Sequence, residues 1–158
     1  MTVSTPEMDI KPAGNIPEVN DYRENWIIVY DKRFKYIPQT DGMWRKLGKY
    51  SPDNGDGWQQ LDKTTANQAM AILYKNLPYI ITDDHDMSSV PQIEEIGNYV
   101  FVTDPRLKKL NQGDQLILEL NSYVDKFKFP RIGFVKKYTD EVLALLYRNL
   151  SYEISPTA

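Results

Sequence analysis

Apolar positions along this chain fall into short blocks, and the blocks recur. Two runs rich in β-branched and aromatic residues, Asn25–Tyr30 and Asn98–Thr103, each end at an Asp, and both predict strands. A second extended stretch is expected after each. Turn signals follow at Gln39-Thr40-Asp41-Gly42 and Asn111-Gln112-Gly113-Asp114. Leu116–Leu120 then predicts a third strand, with the more polar Met43–Leu47 as its counterpart. The stretch 51–60 (SPDNGDGWQQ) is dense in turn formers and predicts a loop. Phe127–Val135, which mixes apolar and basic residues, predicts a hairpin. Helical periodicity enters near the end of each block. Val142, Leu145, Leu146 and Leu150 make a 3.6-period stripe, with Thr139 as the expected N-cap and Asp140 and Glu141 in the dipole-favoured first turn. Ala69, Ile72, Leu73 and Leu77 repeat that stripe earlier. Asn76 and Asn149 stand where a helix ends, Pro78 stops the first helix, and Tyr79–Thr82 and Tyr152–Ser155 predict short closing strands.

This recurrence is a tandem duplication. Residues 25–82 laid over 98–155, a shift of 73 without gaps, give 17 identities in 58 positions, where ordinary composition gives about three or four. Seven of them cluster at Asn25/Asn98, Val29/Val102, Asp31/Asp104, Arg33/Arg106, Lys35/Lys108, Gln39/Gln112 and Asp41/Asp114. Another seven are Ala71/Ala144, Leu73/Leu146, Tyr74/Tyr147, Asn76/Asn149, Leu77/Leu150, Tyr79/Tyr152 and Ile81/Ile154. A unit of roughly 60 residues is small for independent stability. The expected fold is therefore α+β, two β-β-β-α-β units packed about a pseudo-two-fold. The expected organisation is an extended N-terminal arm at 1–24, repeat one at 25–82, an acidic connector at 83–97 and repeat two at 98–158.

Charge divides along the same lines. Both repeats are mildly basic, at +3 for 25–82 and +2 for 98–158, while 1–24 carries −3 and 83–97 carries −5. Local neutralisation, the acidic connector lying across the basic repeats, is the simpler expectation; a masked polyanion-binding surface is the other. No arginine-rich cluster or nucleic-acid motif supports the second. The chain has no cysteine and one histidine, His85, which excludes disulfides, thiolate zinc sites and cysteine nucleophiles. Its longest apolar runs are too short to span a bilayer. No signal peptide is expected, because no basic segment leads into an apolar core.

The candidate chemistry is sparse. Asp83-Asp84-His85-Asp86 could hold a divalent cation by composition, but its spacing matches no calcium loop, and a solvated acidic loop is the expectation. Asp53-Asn54-Gly55-Asp56-Gly57 lacks a distal Glu and reads as turn chemistry. No phosphate loop, nucleophile elbow or zinc-protease helix is present, so no catalytic residue, cofactor or metal is expected. The duplicated Asp31/Asp104 and Arg33/Arg106 could be acid/base pairs, but a structural pair at a strand end, or one contact made twice, fits better. Trp58, in a Gly/Asp loop, and Tyr74 and Tyr147, on the flank of the helical stripe, are candidate partner contacts, as are those four charged residues.

The segment IIVYDKRFKYIPQTDGMWRKL (27–47) resembles hairpin segments of small virion proteins of tailed bacteriophages, in which a strand, a "YD" and a "DG.W" turn recur. The resemblance implies a building block of the particle, an adaptor at the neck, baseplate or fibre base, and transfers no functional residue. The expected function is a non-enzymatic structural or adaptor protein. It would bind other protein subunits or copies of itself, away from membranes and nucleic acid, in a virion assembled in the host cytoplasm. The alternative is a soluble, otherwise cytoplasmic regulatory module binding a host protein or polyanion through the basic repeat faces.

Overall fold

The computed structural model describes residues 15–82 and 89–155. The expected metal-like cluster 83–86 and most of the expected arm lie outside them. The fold is α+β and built twice. Unit one runs β1 (Glu18–Tyr22), β2 (Trp26–Tyr30), a 3-10 turn (Lys32–Tyr36), α1 (Gly42–Leu47), β3 (Asp53–Gly55), β4 (Trp58–Asp62), α2 (Ala66–Asn76) and β5 (Ile80–Thr82). Unit two runs β6 (Gln92–Ile96), β7 (Tyr99–Thr103), a 3-10 turn (Pro105–Lys109), α3 (Gln115–Leu120), β8 (Val124–Lys128), β9 (Arg131–Val135), α4 (Thr139–Asn149) and β10 (Glu153–Ser155). From β2 onward, the strands, turns and helices that the offset of 73 aligns share the same bounds; only β3 and β8 differ in length. The first strands are offset by 74, because the β1–β2 turn holds three residues and the β6–β7 turn two. The shorter turn needs Gly97 at φ +61°, a conformation glycine adopts freely.

Each unit is a four-stranded antiparallel sheet, β1-β2-β4-β3 or β6-β7-β9-β8, with helices on one face. Alternation sends Val29, Leu61, Val102, Ile132 and Phe134 into the core. Helices α2 and α4 pack against each other between the two sheets. Ala69 and Leu73 of α2 and Val142, Ala144 and Leu146 of α4 are each fully buried. The closing strands pair in parallel, Ile80 with Glu153, Ile81 with Ile154 and Thr82 with Ser155. Every residue thus pairs with its own duplicate, as a two-fold along the strand requires. Asn15 bridges Tyr152, and Ser89 bridges Ile80. The segment that opens each unit therefore flanks the closing strand of the other.

Several expectations need correction. The third strand is a helix in both units: Met43–Leu47 lies in α1 and Leu116–Leu120 in α3. Both follow an Asp, and Asp41 caps its helix by accepting from the Met43 amide at 2.9 Å. Six residues, fewer than two helical turns, are too few for periodicity to separate a helix from a strand. The second extended stretch is the 3-10 turn, so residues 27–47 form strand, turn and helix instead of a hairpin. The expected loop 51–60 instead holds β3 and the start of β4, an antiparallel hairpin whose turn puts Gly57 at φ +85°. Thr139 is the first residue of α4; its hydroxyl donates to the Lys136 carbonyl at 2.6 Å and caps nothing. Strands β1 and β6 lie inside the spans read as arm and connector. The hairpin at 127–135, both long helices, their ends at Asn76 and Asn149, and the closing strands stand where expected.

The acidic strands do neutralise basic neighbours. Glu94 meets Arg131 at 3.0 Å, Glu95 meets Lys136 at 2.9 Å, and Asp21 meets Lys63 at 3.7 Å. These pairs are exposed and stabilise little.

Candidate functional site

The polar residues common to both units converge at their junction. Asp31 leaves β2 in an extended conformation and accepts the Arg33 backbone N–H at 2.9 Å, opening the 3-10 turn. That turn folds the Arg33 side chain back. Its Nε and Nη2 donate to the two carboxylate oxygens at 3.0 and 2.8 Å, and its Nη1 donates to the Pro78 carbonyl at 3.0 Å. The fourth bond comes from the other unit, where the Tyr147 hydroxyl donates to Asp31 Oδ2 at 2.7 Å. The Tyr152 ring lies 4.0 Å from the guanidinium, a cation–π contact, and its hydroxyl accepts the Lys32 N–H.

Unit two builds the same arrangement in the opposite sense. Arg106 donates to Asp104 at 3.0 and 2.7 Å and to the Ser151 carbonyl at 2.7 Å. The Tyr74 hydroxyl donates to Asp104 Oδ2 at 2.7 Å, and Tyr79 lies under Arg106 at 5.1 Å. One bond of unit one has no counterpart: Pro105 replaces Lys32, so Tyr79 has no N–H opposite it, and Arg106 is somewhat more exposed than Arg33. Each unit thus supplies a buried ion pair and two tyrosines, and the tyrosines serve the other unit's pair.

Burial gives this latch its electrostatics. Both carboxylates have no exposed side-chain surface. Desolvation, reinforced by the neighbouring carboxylate charge, pushes Tyr147 and Tyr74 well above the ordinary tyrosine range. The same two causes push Tyr152 up to about 12. Every lone-pair position of the carboxylates that the turn presents is filled, so they offer no base to a substrate. The arrangement holds two units together.

Six of the seven candidate contact residues therefore sit inside the molecule. Asp31, Asp104, Arg33, Arg106, Tyr74 and Tyr147 contact the other half of their own chain, which corrects their reading as contacts for an outside partner. They recur because one contact is made twice. Trp58 alone remains at the surface, half-buried on the outer face of its sheet, with its ring over Gly55. The loop Asp53–Gly57 serves as a hairpin turn. No group of three or more potential metal ligands exists among the described residues.

The residue pattern gave no warning of the outer sheet faces. The side of each sheet away from the helices carries Tyr22, Trp26, Tyr30 and Trp58 in unit one, and Ile96, Tyr99 and Phe101 in unit two. Tyr22, Tyr30 and Ile96 are exposed there. Their alternation with core residues was the available signal, hidden because both faces of the strands are apolar. No helix among the described residues is long and apolar enough to cross a membrane. No protein-family model, curated protein or solved structure matches the chain.

Proposed function

We propose that this protein is a non-enzymatic adaptor, a pseudo-dimer in one chain that joins neighbouring protein subunits of a larger assembly. The likeness of residues 27–47 to tailed-phage virion proteins favours such a particle as the setting, with assembly in the host cytoplasm. The observation that carries the reading is the pair of outer sheet faces at related places in the two units, which expose Tyr22 and Tyr30 in unit one and Ile96 in unit two, where Arg131 and Lys126 lie over Phe101 and Tyr99. Aromatic side chains at such positions supply contact area at low entropic cost. The two faces match in place and differ in lining, Trp58 and Tyr30 of unit one standing where unit two has Arg131 and Thr103, so such a chain fits two different subunits of related shape. The basic residues a polyanion would need are partly engaged by Glu94, Glu95 and Asp21, so the geometry favours protein partners.

The test uses Tyr30→Glu and Ile96→Glu, each on an exposed site of one outer face. Both variants are expected to fold as the parent does and to be lost from particles purified from the source of the chain. A chain beginning at Asn15 tests the arm separately: it keeps the whole of β1, so it should fold and fail to incorporate. Particles that lack the parent protein, or that take up all three variants normally, would overturn the reading.

A further inference from the structure

We propose that unit one carries a binding site for a neutral sugar ring, in the cleft between α1 and the β3–β4 hairpin. This goes beyond the adaptor reading and does not depend on it. The cleft holds about 740 Å³, within the range of ligand pockets. At its base lies Gln59, on the inward face of β4 and only 4% exposed. Its amide lies 2.9 Å from the Ser51 hydroxyl, which also reaches the Asp53 carbonyl at 3.1 Å. A hydroxyl has one hydrogen to give, and Ser51 is the amide's one side-chain partner among the described residues, so at least one Nε2 hydrogen is left without an acceptor. A buried amide donor left unpaired is costly, and a structure keeps one where something else pairs with it.

The duplication supplies the control. At the matching positions unit two has Ile132 for Gln59 and Val124 for Ser51, both buried. The same fold therefore forms with an apolar pair, and folding does not require the polar one. The rim has changed with the floor. Trp44, Asn54 and Asp56 of unit one correspond to Ile117, Phe127 and Phe129, which line a smaller apolar cleft of about 470 Å³. One copy has an apolar cleft and the other a polar one.

The lining names the ligand class. Trp44 is half-buried, and its Nε1 already donates to the Pro38 carbonyl at 2.9 Å, so it offers the cleft a flat apolar wall. Gln39, Asn54 and Gln59 add planar amides that both donate and accept, and Asp56 adds an acceptor. One Lys35 and one Asp56 leave the cleft without net charge, which argues against a phosphate or a dicarboxylate. A ring with C–H faces and hydroxyl edges matches a wall of this kind bordered by amides.

The experiment follows the Gln59 side-chain amide and the Trp44 indole N–H by NMR in the full chain. Glucose, galactose, mannose, rhamnose and N-acetylglucosamine are titrated in turn, with a capped neutral tetrapeptide of Ser, Thr, Ala and Gly as a further probe. At least one sugar is expected to shift both signals saturably. In S51V/Q59I the Trp44 shift should weaken at least tenfold, while the unfolding midpoint stays level or rises. The proposal is overturned if no sugar shifts both signals, if the double variant binds as the parent does, if it unfolds more easily, or if the tetrapeptide binds tighter than every sugar. Loss of the outer-face variants from particles would leave this result unaffected, so the two readings fail separately.

Discussion

Asp31 and Asp104 each accept four hydrogen bonds, three from an Arg two residues on and one from a Tyr of the other unit. Tyr147→Phe removes one charged hydrogen bond and leaves the shape, so unfolding in urea should show a loss of about 1.5–3 kcal/mol. Arg33→Met strands a buried carboxylate and should cost about 3–5 kcal/mol. The tyrosines also set the alkaline limit. Their folded pKa values are raised, so the native state holds its protons longer than the unfolded chain. That stability is complete below about pH 10 and drains as pH climbs toward about 12, where Tyr152 ionises. Ultraviolet titration should show Tyr74, Tyr147 and Tyr152 ionising last, together with unfolding; early ionisation of all tyrosines would contradict their burial. The importance of Asp31, Arg33 and Tyr74 was legible from their recurrence. Their pairing was not, because each tyrosine serves a residue far away in sequence, and a self-comparison aligns equivalent residues without saying which ones touch.

Among the elements, the long helices were legible because eleven residues give periodicity three turns to declare itself. The six-residue helices α1 and α3 were not, and QLILEL reads as a strand by content. Strands β1 and β6 were hidden by their acids: EVNDY and QIEEI look like connector, yet each completes a hairpin as an edge strand, where charge is tolerated. Glycines test the hairpins. A Cβ at Gly55 would stand 2.3 Å from the Trp58 indole, whereas one at Gly42, in the first turn of α1, meets nothing within 4 Å. Gly55→Ala should therefore cost about 1–3 kcal/mol. Gly42→Ala should be neutral or stabilise by up to about 1 kcal/mol. Thermal melts of the two variants check both, and equal melting points would contradict the packing of Trp58 on β3.

At the scale of the whole molecule, the duplication was visible in the sequence and its consequence was not. Units of this size bury too little alone, and the structure joins them by helix packing, a parallel strand pair and two reciprocal latches. The halves should therefore unfold as one. All three tryptophans, Trp26, Trp44 and Trp58, lie in unit one, so their fluorescence reports that unit alone, while far-ultraviolet circular dichroism reports both. The measurement is urea unfolding followed by both signals, in the parent and in a variant altered only in unit two, Tyr147→Phe. The account expects one coincident transition in the parent, and a tryptophan transition shifted by the distant substitution as far as the dichroism is. Two separate transitions, or tryptophan unfolding that ignores Tyr147→Phe, would contradict a single body held by exchanged tyrosines.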